Sequence, residues 1–131
     1  MVKVTMDQII AFGNAADIFD GYKLPLKAAY KLNKLKKAIG NESEFYRSKF
    51  QEIVDTYAKK DDNGNVVFSD DGSQIMIKDG MIEECNNALN DLQTLQVEID
   101  NCGLSLDDFG SSIDEIECDP EKLDALMPFL D

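Results

Sequence analysis

Histidine is absent from this chain of 131 residues, and tryptophan is absent as well. Without an imidazole there is no histidine-based hydrolase triad, no HExxH site and no mixed cysteine and histidine zinc site. The usual glycine-rich nucleotide-binding and serine-hydrolase motifs are also missing. We therefore predict no catalytic residue, no cofactor and no metal ligand, and we expect a protein that is not an enzyme. The alternative is a metal-dependent enzyme, which would need a carboxylate cluster that the sequence alone does not reveal.

Cysteine is scarce, with Cys85, Cys102 and Cys118 as the only three and no CxxC spacing among them. An odd number argues against a disulfide framework, so we expect reduced thiols that are buried as small apolar side chains. No apolar run has the length of a signal peptide or of a membrane-spanning helix. These features predict a cytoplasmic protein with no membrane partner.

Basic residues are few, and they are unevenly distributed along the chain. Residues 1–60 contain eleven basic and seven acidic residues, whereas residues 61–131 contain two basic and nineteen acidic residues. The formal net charge of -13 disfavours direct binding of nucleic acid, which requires a basic surface. Six lysines occur without an acid between Gly21 and Asn41, which predicts a solvated lysine face; the alternative is that part of the acidic half folds back on them. They are Lys23, Lys27, Lys31, Lys34, Lys36 and Lys37.

The first half of the chain is predicted to be helical. A short strand at residues 2–4 precedes Thr5 and Gln8, whose spacing is that of a helix-capping box, and a first helix follows over residues 6–19. Apolar residues then recur every three or four positions from Leu26 to about residue 60, which predicts one long helix. Gly40 is its weak point, and a break there would give two helices.

Turn residues occur at 61–65 and at 70–72. One short apolar run, residues 66–68, lies between these turns, and another, residues 75–77, follows the second turn. This order predicts a β-hairpin. The acidic turn at 61–65 also resembles a calcium loop, but Gly64 and Gly72 fall at positions where an EF-hand needs other residues. A third helix begins near Gly80, and its apolar stripe should pack antiparallel to the long helix.

The C-terminal segment alternates apolar and acidic residues at 97–100 and at 113–118, which predicts two strands paired in a small sheet. Asp119 and Pro120 should begin a last helix with Leu123, Leu126 and Met127 facing inward and Pro128 ending it. The carboxylates expected to remain exposed are the candidate partner-binding residues, namely Asp107, Asp108, Asp114, Glu115 and Glu117.

These elements predict an α+β, mostly α fold: a long antiparallel helical hairpin with a β-hairpin at its tip and a small acidic C-terminal α/β cap. We expect a single domain over residues 1–131. Its parts are a net basic helical region at 1–60, the β-hairpin at 61–80, a helix at 81–96 and the acidic strand and helix cap at 97–131.

Three blocks of sequence resemble a small family of unknown function from tailed phages and prophages of Gram-positive bacteria. The blocks are KLPLKAAYKLNKL from Lys23, the helix from Phe45 to Tyr57 with the DNGN turn after it, and CDPEKLDALMPFL from Cys118. The resemblance implies a phage origin and action in the host bacterial cytoplasm, but no functional residue.

Together these features predict a phage-encoded, non-catalytic protein that acts by protein–protein interaction, as an accessory factor in phage gene expression or assembly. The alternative is an acidic inhibitor, or nucleic-acid mimic, directed at a host nucleic-acid enzyme or defence system. The partner would be a phage or host protein, and the sequence leaves self-association open.

Overall fold

The computed structural model describes residues 1–131 as a mostly helical α+β protein with one two-stranded antiparallel sheet. The elements are β1 (Val2–Thr5), α1 (Met6–Ala15), α2 (Leu26–Tyr57), α3 (Ile82–Gln93), β2 (Gln96–Ile99) and α4 (Pro120–Leu126). Short 3-10 segments cover Ala16–Phe19, Leu106–Asp114 and Met127–Phe129. None of the helices has an apolar stretch long enough to cross a membrane.

The chain divides into two compact units. The first, here called the terminal unit, consists of Met1–Glu44 and Leu95–Asp131, and the second, the central unit, is the continuous segment Phe45–Thr94. Helix α2 begins in the terminal unit and ends in the central unit.

The start of α1 is fixed by the predicted capping box. The Thr5 hydroxyl accepts the Gln8 backbone N–H, and the Gln8 side chain in turn accepts the Thr5 backbone N–H at 2.9 Å. Two backbone donors that a helix start leaves unpaired are thereby satisfied. The helix predicted over residues 6–19 ends as a regular α-helix at Ala15 and continues as a 3-10 turn to Phe19.

The sheet of the terminal unit joins β1 to β2. The strands are antiparallel, with Val2 opposite Ile99 and Thr5 opposite Gln96. The predicted pairing of residues 97–100 with 113–118 is therefore wrong. Residues 113–118 form no strand, because Ile113 and Ile116 are three positions apart and would lie on opposite faces of a strand. The spacing of three residues between Ile113 and Ile116 instead matches the repeat of a 3-10 helix, and Ile113 lies in such a turn.

Aromatic pairs connect the elements of the terminal unit. Phe12 of α1 packs on Phe129 with ring centroids 4.8 Å apart, and Phe19 stacks on Phe109 at 5.2 Å. Burying such rings contributes strongly to stability. The same core includes the buried stripe of α2, made of Ala28, Leu32, Leu35 and Ile39.

Helix α2 is continuous over 32 residues and does not break at Gly40. Its buried residues lie at spacings of four, three and four along the part that belongs to the terminal unit, as one helical face requires. From Phe45 to Tyr57 no side chain of α2 is buried. The packing that holds α2 is therefore concentrated in its first half.

In the central unit, three isolated antiparallel bridges follow α2. They pair Ala58 with Ile77, Lys60 with Val66 and Phe68 with Ile75. Backbone hydrogen bonds of about 2.8–2.9 Å join the same segments, including Met76 N–H to the Val67 carbonyl. No continuous strand forms in this region.

Helix α4 begins at Pro120, as the sequence predicts, and its inward face is narrower than expected. Leu126 is buried, but Leu123 and Met127 are exposed, so those two assignments were wrong. The α-helix ends at Leu126, just before Pro128, as predicted, and Pro128 lies within the 3-10 turn that follows and leads to the buried Phe129.

Candidate functional site

The candidate partner-binding carboxylates lie on and after the 3-10 segment Leu106–Asp114. Asp107, Asp114, Glu115 and Glu117 are exposed. Inside this segment Gly110 has φ 56° and ψ -140°, a conformation that favours glycine and bends the chain between the two turns. Four of the five predicted side chains are thus available to a partner.

Asp108 differs from the other four because its carboxylate is already engaged. Its Oδ2 accepts the Lys31 ammonium at 3.0 Å and the Ser105 backbone N–H at 3.0 Å, and only 10% of the side chain is exposed. The Ser105 N–H and the Lys31 charge lower the pKa of this carboxyl group. The prediction of an exposed Asp108 was therefore wrong, and this residue has a structural role.

The Asp108 contact shows that the acidic half folds back on one of the six lysines, Lys31 of α2. Lys31 also donates a hydrogen bond to the Gly103 carbonyl oxygen at 3.4 Å, so this side chain stabilises the loop that carries Asp108. The other lysines of that stretch, Lys23, Lys27, Lys34, Lys36 and Lys37, remain exposed.

A second acidic feature, here called the acidic basin, is an open cavity of about 520 Å³ in the terminal unit. Asp17 and Asp20 contribute from the end of the first helical segment, and Glu117 and Asp119 contribute from the approach to α4. Lys122 binds Asp17 at 3.0 Å, and this contact raises the pKa of the Lys122 ammonium. The remaining lining residues are Ile18, Tyr22 and Cys118.

Of the basin carboxylates, only Glu117 was among the predicted site residues. The sequence predicts Asp119 as a helix cap, but its side chain makes no capping hydrogen bond. Asp17 and Asp20 lie about a hundred positions away in the sequence, and no local pattern indicates that they would meet Glu117. The tertiary fold alone creates this combination.

The three cysteines are free and occupy different environments. Cys85 is buried, as expected, whereas Cys102 is half-buried and Cys118 is exposed at the acidic basin. The prediction that all three are buried is therefore wrong. Cys118 is the last residue of the segment 113–118, and because this segment forms no strand, its thiol remains exposed.

Carboxylates in the two acidic turns of the central unit bind their own backbone. Asp61 accepts the N–H groups of Asn63 and Asn65 at 2.9 Å. Asp71 accepts hydrogen bonds from Ser69 and Ser73, which lower the pKa of its carboxyl group to about 2. Both side chains thus stabilise turns. No group of three or more His, Cys, Asp or Glu side chains that could hold a metal ion comes together in the chain.

An apolar groove of about 320 Å³ lies in the central unit. One side belongs to α2 and the other to α3, and the bridged segment between the helices completes it. The lining residues are Phe50, Ile53, Val54, Ser73, Gln74, Ile75, Ile77, Cys85 and Leu89. This groove, here called the central groove, was not predicted as a site, although the stripe of α3 indicates an apolar face.

The arrangement offers surfaces for contact. The exposed carboxylates can accept hydrogen bonds from lysine or arginine side chains and form ion pairs with them. The central groove can bind apolar side chains. No family model, curated protein or solved structure matches this chain.

Proposed function

We propose that this chain is a phage-encoded, non-catalytic protein that acts in the host cytoplasm by binding a protein partner, as an accessory factor in phage gene expression or assembly. The phage assignment depends on the sequence resemblance in three blocks. The observation that carries the binding role is the acidic basin, in which carboxylates from two distant parts of the chain share one concave surface.

The expected partner is a protein with a basic surface. The basin has four carboxylates and one lysine, and that lysine is already paired with Asp17. Asp107, Asp114 and Glu115 extend the acidic surface along the preceding segment. A surface of one sign steers an oppositely charged partner and raises the association rate more than the final affinity.

The experiment is a tagged pull-down from infected host cells, followed by association kinetics with the identified partner. We expect Glu115→Gln with Glu117→Gln to slow association and to reduce its dependence on salt. The matched control is Asp62→Asn with Asp70→Asn, which makes the same change of charge in the central unit. If both double variants bind as fast as the parent, the acidic surface only aids solubility. A partner that binds nucleic acid would favour the inhibitor alternative.

Within the central unit we also propose the antiparallel helical hairpin, with a β-hairpin at its tip. The proposal is supported by the central groove, which residues of α2 and α3 line together, and by the bridge between Phe68 and Ile75. Leu89→Asp would place a charge in that groove and should lower the melting temperature by several degrees. An unchanged melting temperature would contradict the pairing.

A further inference from the structure

The central unit has far less buried apolar surface than the terminal unit. Of the nineteen buried apolar residues in the chain, only Ala58, Cys85 and Leu92 belong to the central unit. The terminal unit contains all the others, including the largest buried side chains, such as Phe12 and Phe109. Because burial of apolar side chains is the main favourable contribution to folding, the central unit is the less stable of the two.

The second half of α2 is held mainly by interactions within the helix itself. Its apolar residues Ile53 and Val54 are only half-buried. The ion pair between Lys49 and Glu52, at 3.2 Å, is exposed to solvent, and such pairs contribute little to stability. A helix in a protein is stabilised chiefly by the packing of its apolar face. This half of α2 therefore has little to hold it once the packing of the central unit is lost.

Backbone hydrogen bonds connect the segments after α2 into one network. The Lys59 N–H donates to the Met76 carbonyl oxygen at 2.8 Å, and the Lys59 carbonyl oxygen accepts the Val67 N–H at 2.9 Å. The Lys78 N–H donates at 2.8 Å to the carbonyl oxygen of Tyr57, the last residue of α2. The loss of any one of these segments removes hydrogen-bond partners from the others. The network therefore favours opening of the central unit as a whole.

The terminal unit has the means to remain folded when the central unit opens. The central unit is one continuous segment that leaves the terminal unit after Glu44 and returns to it at Leu95. When opened it is a long loop, and the entropy cost of closing a loop rises only logarithmically with its length. The buried stripe of α2, which ends at Ile39, and the sheet of β1 and β2 both lie outside this segment.

We infer that the central unit opens as one cooperative unit while the terminal unit stays folded. In the open form, the second half of α2 is no longer helical, and the Cys85 thiol is accessible to solvent. The central groove exists only in the closed form. A ligand that binds the groove must therefore also stabilise the closed form of the central unit.

The test is hydrogen exchange of backbone amides in the full chain, measured by NMR, with the two halves of α2 as an internal comparison. After correction for intrinsic rates, we expect amides 46–57 to exchange at least about tenfold faster than amides 32–39, because only the latter require the terminal unit to open. In low urea, amides 46–57 and those of α3 should share one urea dependence, smaller than that of the terminal unit, because less surface is exposed. Equal protection of the two halves of α2, or unequal urea dependences for 46–57 and α3, would overturn the inference.

A matched pair of leucine substitutions distinguishes local from global opening. Leu126 is buried in the terminal unit, and Leu126→Ala should speed exchange of terminal-unit amides at least about tenfold. Amides of the central unit should keep the parent rate, because they exchange through an opening in which Leu126 stays packed. Leu89→Ala removes apolar atoms from the central groove and should speed exchange of the central-unit amides several-fold. If Leu126→Ala speeds both units equally, the chain opens only as a whole and the inference is wrong.

Discussion

The side-chain amide of Asn101 donates a hydrogen bond to the Phe129 main-chain carbonyl oxygen at 2.9 Å. Asn101 is fully buried, and its amide also reaches the Asp131 carboxylate at 2.9 Å, while its oxygen accepts the Gly103 N–H at 3.1 Å. A single side chain thus connects the loop after β2 to the last turn of the chain.

Asn101→Ala should lower the free energy of unfolding by about 1–3 kcal/mol, because the Phe129 carbonyl loses its side-chain donor inside the protein. Urea denaturation followed by circular dichroism measures the change. Asn87 of α3 is exposed, and Asn87→Ala should stay within about 0.5 kcal/mol of the parent. Equal effects of the two substitutions would show that the Asn101 hydrogen bonds add no stability.

The contact between Asp108 and Lys31 predicts a dependence of stability on pH. The folded chain holds the pKa of Asp108 below its ordinary value of 3.8. The stabilisation is therefore fully present above that value, and it is lost as the pH falls through the lowered pKa. Asp108→Asn should lower the melting temperature at neutral pH, and the difference from the parent should shrink in acid.

Asp107→Asn provides the control for Asp108, because it removes the same charge from the neighbouring exposed position. We expect little change in its melting temperature at any pH. If thermal melts of the two variants have the same pH dependence, Asp108 has no special role.

The bend at Gly110 predicts opposite effects for two glycine substitutions. Gly110→Ala should destabilise the protein by about 1–3 kcal/mol, since its φ of 56° is unfavourable for a side chain even though Cβ would be 3.8 Å from Pro25. Gly13 lies within α1 with open space around it, and Gly13→Ala should stabilise by about 0.5–1 kcal/mol. Chemical denaturation of both variants measures the contrast, and a Gly110→Ala variant as stable as the parent would refute it.

The cysteines should react with Ellman's reagent in separate phases. We expect Cys118 to react first, Cys102 more slowly and Cys85 only when the protein opens, because their exposure falls in that order. Cys118→Ser should remove the fast phase and leave the others unchanged. Three thiols that react at one rate would contradict the burial of Cys85.

Local signals in the sequence predicted local structure well. The Thr5 and Gln8 capping box, the start of α4 at Pro120 and the length of α2 are each determined by residues within a few positions of one another. The α2 helix survives Gly40 because its buried stripe, ending at Ile39, outweighs the modest cost of one glycine.

Contacts between distant residues could not be predicted in the same way. Alternation in residues 97–100 indicates a strand, but it does not identify its partner, and the N-terminal strand pairs with it instead. The acidic basin depends on Asp17 meeting Glu117, and the burial of Asp108 depends on Lys31. In an acidic chain each carboxylate looks alike in sequence, and only the fold determines which one finds a lysine.

The pairing of β1 with β2 bears on how the chain folds during its synthesis. Ile99 is added to the growing chain 97 residues after its partner Val2. At 5–20 residues per second this delay is about 5–20 s, during which β1 is an unpaired strand. The helices, whose backbone hydrogen bonds are local, can form in that interval, so closing the sheet is a late step in the folding of the nascent chain.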